Sequence, residues 1–225
     1  MSRKIIEMRN ISKSYDSKAD VLSHLDFTVY EGDYVIIKGK SGSGKSTLLN
    51  IIGLLDKHSS GDYIFLDKEI KLKANAEYDT LRGNNIGFVF QSYNLIENYT
   101  VLDNIFMPFL YSTNKITSKI LNDTNDLLEE LDLAQLKHQA VKFLSGGEKQ
   151  RCAIARAVVS NPRLVIADEP TGNLDGENAS IISKQFRKLA NNKTTVIVVT
   201  HSDHLFQNAD IFYELRQGRL WNNAI

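Results

Sequence analysis

Gly39-Lys40-Ser41-Gly42-Ser43-Gly44-Lys45-Ser46 follows the β-branched run Tyr34 to Lys38 and leads into the helical pattern Thr47 to Leu55. The octapeptide matches G-x-x-x-x-G-K-[ST] without a gap, and strand, loop and helix stand in the order such a motif requires. Its glycines let backbone N–H groups wrap a β-phosphate, Lys45 places a cation on the β- and γ-phosphates, and the Ser46 hydroxyl suits Mg²⁺. Gly39, Lys40, Ser41, Gly42, Ser43, Gly44, Lys45, Ser46 and Thr47 are therefore the first candidate nucleotide contacts.

Working outward, short apolar runs alternate with helical patterns, which predicts an α/β fold with a largely parallel, buried sheet. Ile5 to Tyr15 and Val21 to Tyr30 read as a sheet edge or antiparallel pair. Tyr63 to Leu66, Ile86 to Phe90, Arg163 to Ala167, Thr194 to Val199 and Ile211 to Leu215 supply the remaining strands. From Gln91 to about Val159 strand signals give way to helical ones, with Leu127, Leu128, Leu131, Leu133 and Leu136 as apolar faces. That segment reads as an inserted helical lobe. No internal repeat or low-complexity tract interrupts the chain, and the stretch after Gly218 is too short for a further domain.

With 225 residues, 42% of them hydrophobic, the sequence suits one large domain with a substantial core. Lys plus Arg equals Asp plus Glu at 27 each, which gives no electrostatic case for a nucleic-acid or anionic-membrane surface. The single cysteine, Cys152, has no disulfide partner within the chain and reads as a small packing residue. No run approaches the ~18 apolar residues of a spanning helix, so a cytoplasmic chain is expected, with any membrane role exercised through a partner.

Two further motifs carry chemistry. Leu164-Val165-Ile166-Ala167-Asp168-Glu169 is an apolar strand ending in two carboxylates; Asp168 suits Mg²⁺, and Glu169, one residue on, suits the water attacking a γ-phosphate. Leu144-Ser145-Gly146-Gly147-Glu148 opens a helical pattern, so Ser145 and the bare backbone of Gly146 and Gly147 can aim N–H groups at an anion. A plain serine cap describes the same residues, and the cap geometry itself creates the anion site. One nucleotide needs only one phosphate loop. Two elements for one γ-phosphate make sense when two copies close face to face, each offering its pentapeptide to the other's nucleotide.

With these motifs in this order, the chain closely resembles the ATP-binding-cassette ATPases over nearly its whole length. The resemblance implies a P-loop NTPase fold: a mainly parallel sheet, an N-terminal antiparallel β portion and an inserted α-helical subdomain. It implies one domain, 1–225, with a catalytic core of 1–90 and 160–225 and a helical subdomain of 91–159. Tyr15 matches the aromatic that stacks on adenine, and Gln91, after Gly87-Phe88-Val89-Phe90, the glutamine that senses Mg²⁺ and the attacking water. Asp175 matches the aspartate at the dimer interface and His201 the histidine contacting the γ-phosphate. Tyr15 also reads as an edge-strand packing residue, and Gln91 and His201 as strand-end caps. The catalytic set implied is Glu169, His201, Gln91 and Lys45, with Ser46, Gln91 and Asp168 at the metal. Ser145, Gly146, Gly147 and Glu148 would reach the nucleotide of a second copy. Glu148 stands where glutamine is commoner, a familiar variant.

Gly87 to Gln91, Thr100-Val101-Leu102-Asp103-Asn104-Ile105 and Ala167 to Asp175 together look like the macrolide-exporter and lipoprotein-release type. That resemblance implies ATP and Mg²⁺, a homodimer closing on ATP, no nucleic acid, and an integral membrane permease that draws the chain to the cytoplasmic face of the membrane. Export of a peptide, bacteriocin, antimicrobial compound or lipoprotein follows, with mechanical signalling to division or envelope-stress machinery as the alternative. Glu97-Asn98-Tyr99 lacks the proline common before the threonine. The apolar run Leu95, Ile96, Tyr99, Val101, Leu102, Ile105, Phe106, Met107, Phe109 and Leu110 is expected to be mostly lobe core, a minority of it lining a groove for a permease helix. A chromosome-maintenance ATPase would need a coiled coil between Ser46 and Leu144, and that interval is too short.

Overall fold

Two sheets organise the chain in the computed structural model, which describes residues 3–15, 20–71, 76–113, 115–172, 176–201 and 208–222. β1 (Lys4–Ser14) and β2 (Asp20–Tyr30) pair antiparallel, and β3 (Tyr34–Lys38) leaves them for the second sheet. After helix α1 (Lys45–Ile52), β4 (Ser60–Phe65) and β5 (Lys68–Glu69) complete a four-stranded antiparallel sheet in the order β2-β1-β4-β5.

Helix α2 (Ala76–Asn85) then precedes β6 (Ile86–Val89), and α3 (Val101–Phe106), α4 (Ser118–Glu130) and α5 (Gly146–Val158) precede β7 (Leu164–Asp168). α6 (Gly176–Asn191), β8 (Thr195–Val199) and the hairpin of β9 (Ile211–Arg216) and β10 (Arg219–Asn222) finish the second sheet, ordered β10-β9-β3-β8-β7-β6. Its pairs are parallel except β9 with β10. β8 is buried throughout, and β3 and β7 are buried except for their last residues, because both faces of this sheet are covered. On one face Leu48, Leu49, Ile51 and Ile52 of α1 pack with the antiparallel sheet; on the other, Ile182 and Phe186 of α6 join Ile154 of α5. Each such side chain stabilises the fold by about 1.5–3 kcal/mol when fully buried.

The fold agrees with the sequence expectation of a mainly parallel sheet with an N-terminal antiparallel portion. Four of these elements fall outside the named strands and helices, the first being β5, a two-residue strand too short to show a pattern. α2 has weak apolar periodicity, and α6 is a long amphipathic helix that the motif reading passed over. The stretch after Gly218, expected only to be too short for a further domain, carries β10: Gln217 and Gly218 at φ 48° and 72° make a two-residue turn that folds Arg219–Asn222 back onto β9. α1 stops at Ile52 rather than Leu55, because Gly53 caps it and Leu54 turns left-handed at φ 58°.

A separate cluster of Val101, Ile105, Leu128, Leu131, Leu133, Val141, Leu144 and Cys152 fills the space among α3, α4 and α5. The packing role expected of Cys152 matches its burial, which pushes its thiol up to about 12. Close contact of α5 with the sheet depends on Gly87. A Cβ there would stand 2.0 Å from the Ala157 carbonyl oxygen, so any larger residue would lift the helix off β6.

Candidate active site

The parallel strands end at one rim, and each delivers part of the site there. β3 feeds residues 39–46, β6 runs toward Gln91, β7 ends on Asp168, and β8 precedes Thr200 and His201. A cavity of about 530 Å³ lies over this rim, lined by Ser41, Gly42, Gly44, Lys45, Ser46, Thr47, Gln91, Asp168, Glu169 and His201, with Val21 and Gly172. Residues far apart in sequence are thereby brought to one place.

Gly44 sits at φ 101° as the residue before α1, and a Cβ there would meet the Val21 carbonyl at 2.9 Å. α1 has neither a side-chain cap nor an acidic residue in its first turn. Its N-terminal N–H groups therefore keep their attraction for an anion. The Lys45 ammonium lies back along the loop, donating to the carbonyls of Gly39 at 2.7 Å and Lys40 at 3.0 Å.

Asp168 and Glu169 differ in environment. Burial, and then the adjacent Glu169 charge, push the Asp168 carboxyl above the usual aspartate range, while Lys45 and a hydrogen bond with Ser46 pull it down. A divalent cation bound there would favour the ionised carboxylate. Ser46, Asp168 and Gln91 supply oxygen donors around one cavity, a sparse set that suits Mg²⁺ completing its shell with water and substrate phosphate. Among the described residues no cluster of three or more His, Cys, Asp or Glu gathers for a metal, so the fit is to a metal arriving with its phosphate ligand.

Glu169 holds a left-handed backbone at φ 45°, a conformation that costs a non-glycine residue about 1–3 kcal/mol. Its N–H donates to the Val199 carbonyl at 2.8 Å. Oε2 accepts from Thr200 Oγ1 at 3.1 Å and from the His201 N–H at 3.2 Å. Oε1 is buried without a hydrogen-bond partner, 3.6 Å from His201 Nε2. One oxygen is thus anchored and the other is left for a ligand. Thr200, absent from the sequence candidates, supplies part of that anchor; its place between an apolar strand and His201 was the available signal.

The other candidates lie elsewhere. Lys40 and Ser43 line a neighbouring cavity of about 1250 Å³ beside Arg216, Arg219 and Trp221. Gly39 is pressed under the Leu215 carbonyl, where a Cβ would stand 2.7 Å away. Tyr15 is exposed at the end of β1, its hydroxyl donating to Asp56 at 2.8 Å and the Lys13 ammonium 4.5 Å from its ring centre. Asp175 falls outside the described residues.

Ser145, Gly146, Gly147 and Glu148 are not among the residues lining the cavity over the rim. They form the start of α5 as a reciprocal cap: the Glu148 N–H donates to Ser145 Oγ at 3.4 Å, and the Glu148 carboxylate accepts from the Ser145 N–H at 2.7 Å and hydroxyl at 2.9 Å. Glu148, expected as a silent variant, occupies the hydrogen bonds that Ser145 would offer an anion.

A third cleft, about 260 Å³, opens between β6 and the residues after α3, with Leu55, Phe88, Phe90, Pro108 and Tyr111 on its walls and Arg82 and Arg156 at its edges. Of the apolar run, Val101 and Ile105 are fully buried, whereas Tyr99, Leu110 and the adjoining Tyr111 are exposed.

Residues 22–172 match the family described as ABC transporter. The chain belongs to that family. It is 39% identical over 227 residues to the lipoprotein-releasing system ATP-binding protein LolD of Rickettsia bellii, spanning 98% of this chain and 99% of LolD. It is 40% identical over 217 residues to the macrolide export ATP-binding/permease protein MacB of Bdellovibrio bacteriovorus, spanning 95% of this chain but only 33% of MacB. The dimeric ATP-binding cassette MJ0796, solved in a post-hydrolysis state with ADP and Pi, superposes with a TM-score of 0.88 at 32% identity, over 97% of each chain. The cassette is thus an ATP-binding, ATP-hydrolysing subunit of the ABC type. No described helix is long and apolar enough to cross a membrane.

Proposed function

We propose that this cassette powers an exporter of the macrolide-export or lipoprotein-release kind, closing as a homodimer on ATP and driving a separate membrane permease from the cytoplasmic face of the membrane. The cargo class is a peptide, bacteriocin, antimicrobial compound or lipoprotein, in keeping with the relatives named MacB and LolD. One observation carries the two-copy reading. The chain's own cavity gathers Ser41, Gly42, residues 44–47, Gln91, Asp168, Glu169 and His201 yet leaves Ser145 to Glu148 outside it. The pentapeptide is then available to a nucleotide on another copy, as the dimeric state of MJ0796 supports.

In this reading residues 39–47 cradle the phosphates, and Lys45 swings from its loop carbonyls to the β- and γ-phosphates. Ser46, Asp168 and Gln91 hold Mg²⁺, which when bound neutralises phosphate charge. Tyr15 faces the adenine and Asp175 the dimer interface. Ser145, Gly146, Gly147 and Glu148 contact the second copy's nucleotide. Glu169 accepts a proton from, or orients, the attacking water through Oε1, while Thr200 and the His201 backbone hold Oε2. His201 contacts the γ-phosphate. The domain 1–225 acts as a core of 1–90 and 160–225 carrying a helical lobe of 91–159, and the cleft of Leu55, Phe88, Pro108 and Tyr111 receives a permease helix.

Glu169→Gln tests the reading. It is expected to bind ATP, sediment as a stable dimer and turn over about 10²–10⁴-fold more slowly, the range for losing a general base. A variant that hydrolyses ATP at the normal rate, or stays monomeric with ATP, overturns it.

A further inference from the structure

Arg156 lies in the last turn of α5, at the opposite end of the helix from Ser145. Its guanidinium donates to two consecutive backbone carbonyls of the loop after Gln91, Tyr93 at 2.7 Å and Asn94 at 2.5 Å. Tyr93 and Asn94 are both left-handed, at φ 60° and 49°. Neither is glycine, and such residues persist only where their surroundings hold them, at about 1–3 kcal/mol each. A planar guanidinium can grip two neighbouring carbonyls at once, which a lysine ammonium does not reproduce.

The same loop touches α5 at its other end. The Tyr93 hydroxyl lies 3.4 Å from where a Cβ on Gly146 would stand. Tyr93 thus bridges toward the start of the helix while Arg156 holds its backbone from the last turn, about 15 Å further along at 1.5 Å per residue. Beneath them, the close approach of Gly87 to Ala157 presses α5 onto the strand that leads to Gln91.

We propose that Arg156 is a positioning residue for Gln91: by gripping the Tyr93 and Asn94 carbonyls it fastens the Gln91 loop to α5, so that the glutamine facing the chain's own nucleotide moves as one piece with the Ser145 end. This rests on the two-copy reading above. Because that Ser145 end meets the partner's nucleotide, the clamp links the two sites of a dimer through a single helix. Arg156 also borders the cleft beside Phe90 and Pro108, so the same clamp reaches the docking surface. Without it the left-handed pair relaxes and Gln91 loses its register, and displacements near 1 Å cost up to about 10²-fold in rate.

The test is a double-mutant cycle on the full chain, measuring steady-state ATP hydrolysis. Arg156→Met keeps the apolar stem and removes the fork; it is expected to lower kcat about tenfold with KM for ATP within about twofold. Arg156→Lys, retaining a single donor head, is expected to lose only about threefold. Combined with Gln91→Ala, either change should add nothing beyond the Gln91→Ala loss, because both act through the same group. Losses that multiply, an effect confined to KM, or a lysine variant no better than methionine overturn the proposal. Should Arg156→Met fail to melt cooperatively, the Arg156→Lys cycle decides alone. Glu169→Gln separates the two readings: a monomer with ATP defeats the two-copy site, whereas an ATP dimer alongside multiplying losses defeats only the role of Arg156.

Discussion

The N-termini of α1 and α5 are both glycine-flanked and both suited to phosphate, yet the chain finishes them in opposite ways. α1 begins after left-handed Gly44 with no side-chain cap and no acid in its first turn. α5 begins under Ser145 with Glu148 folded back as a reciprocal cap. A bare helix end leaves N–H groups that an anion can satisfy at once. A capped end is already satisfied, and its carboxylate opposes an incoming phosphate. On the proposed reading the first holds a nucleotide in a lone subunit, and the second exchanges its own hydrogen bonds for those of an arriving ligand, which would make closure conditional.

Breaking the bare end has the largest expected effect. Lys45→Met removes the only lysine lining the phosphate cavity among the described residues, and ATPase turnover should fall at least about 10²-fold, the scale of losing one preorganised charge partner. Next comes Ser145→Phe, which is expected to spare ATP binding by the monomer, followed by nucleotide fluorescence, and to abolish the ATP-dependent dimer of a Glu169→Gln background. A normal dimer in that background would refute the composite site. Glu148→Gln sharpens the comparison more gently. It keeps a cap on Ser145 but removes the negative charge, so dimerisation should need about two- to fivefold less ATP, consistent with the 0.3–1 kcal/mol of a single charge at a helix end.

The smallest effect concerns stability. The Asp168 carboxyl is held above its unfolded value by burial and by Glu169. As pH rises between the unfolded value and the raised folded one, the unfolded chain gives up its proton first, so stability falls across that window. Asp168→Asn should therefore raise the melting temperature measured without nucleotide at neutral pH, flatten that pH dependence, and still lose Mg²⁺-dependent hydrolysis. A lower melting temperature would show that Asp168 stabilises the empty fold instead.

Tyr15 contrasts with the rim residues. Its hydroxyl is tied to Asp56, and burial of that carboxyl is outweighed by hydrogen bonds from Lys13, Tyr15 and the Lys57 N–H, which keep it below the usual range. An aromatic after the first strand was legible in sequence. The network orienting it was not, because Asp56 lies 41 residues away.

Much of the rim was readable in one dimension, because phosphate loops, strand-end carboxylates and helix caps are local: glycines, a lysine and a serine at fixed offsets dictate backbone geometry wherever they stand. The apolar runs likewise announced a buried parallel sheet, since strands covered on both faces need no polar alternation. Short or weakly patterned pieces such as β10 and α2 were missed, because a turn and a neighbouring strand, rather than their own periodicity, hold them.

By itself the sequence singled out Lys45, Ser46, Gln91, Asp168, Glu169 and His201 as candidates, all of which line one cavity. Only the tertiary structure decided that Glu169 keeps one carboxylate oxygen anchored and one unpaired, and that Arg156 grips the loop after Gln91. The reason is physical: hydrogen bonds and burial depend on distances between groups 31, 32 or 62 positions apart in the chain, and those distances exist only once the sheet and helices have packed.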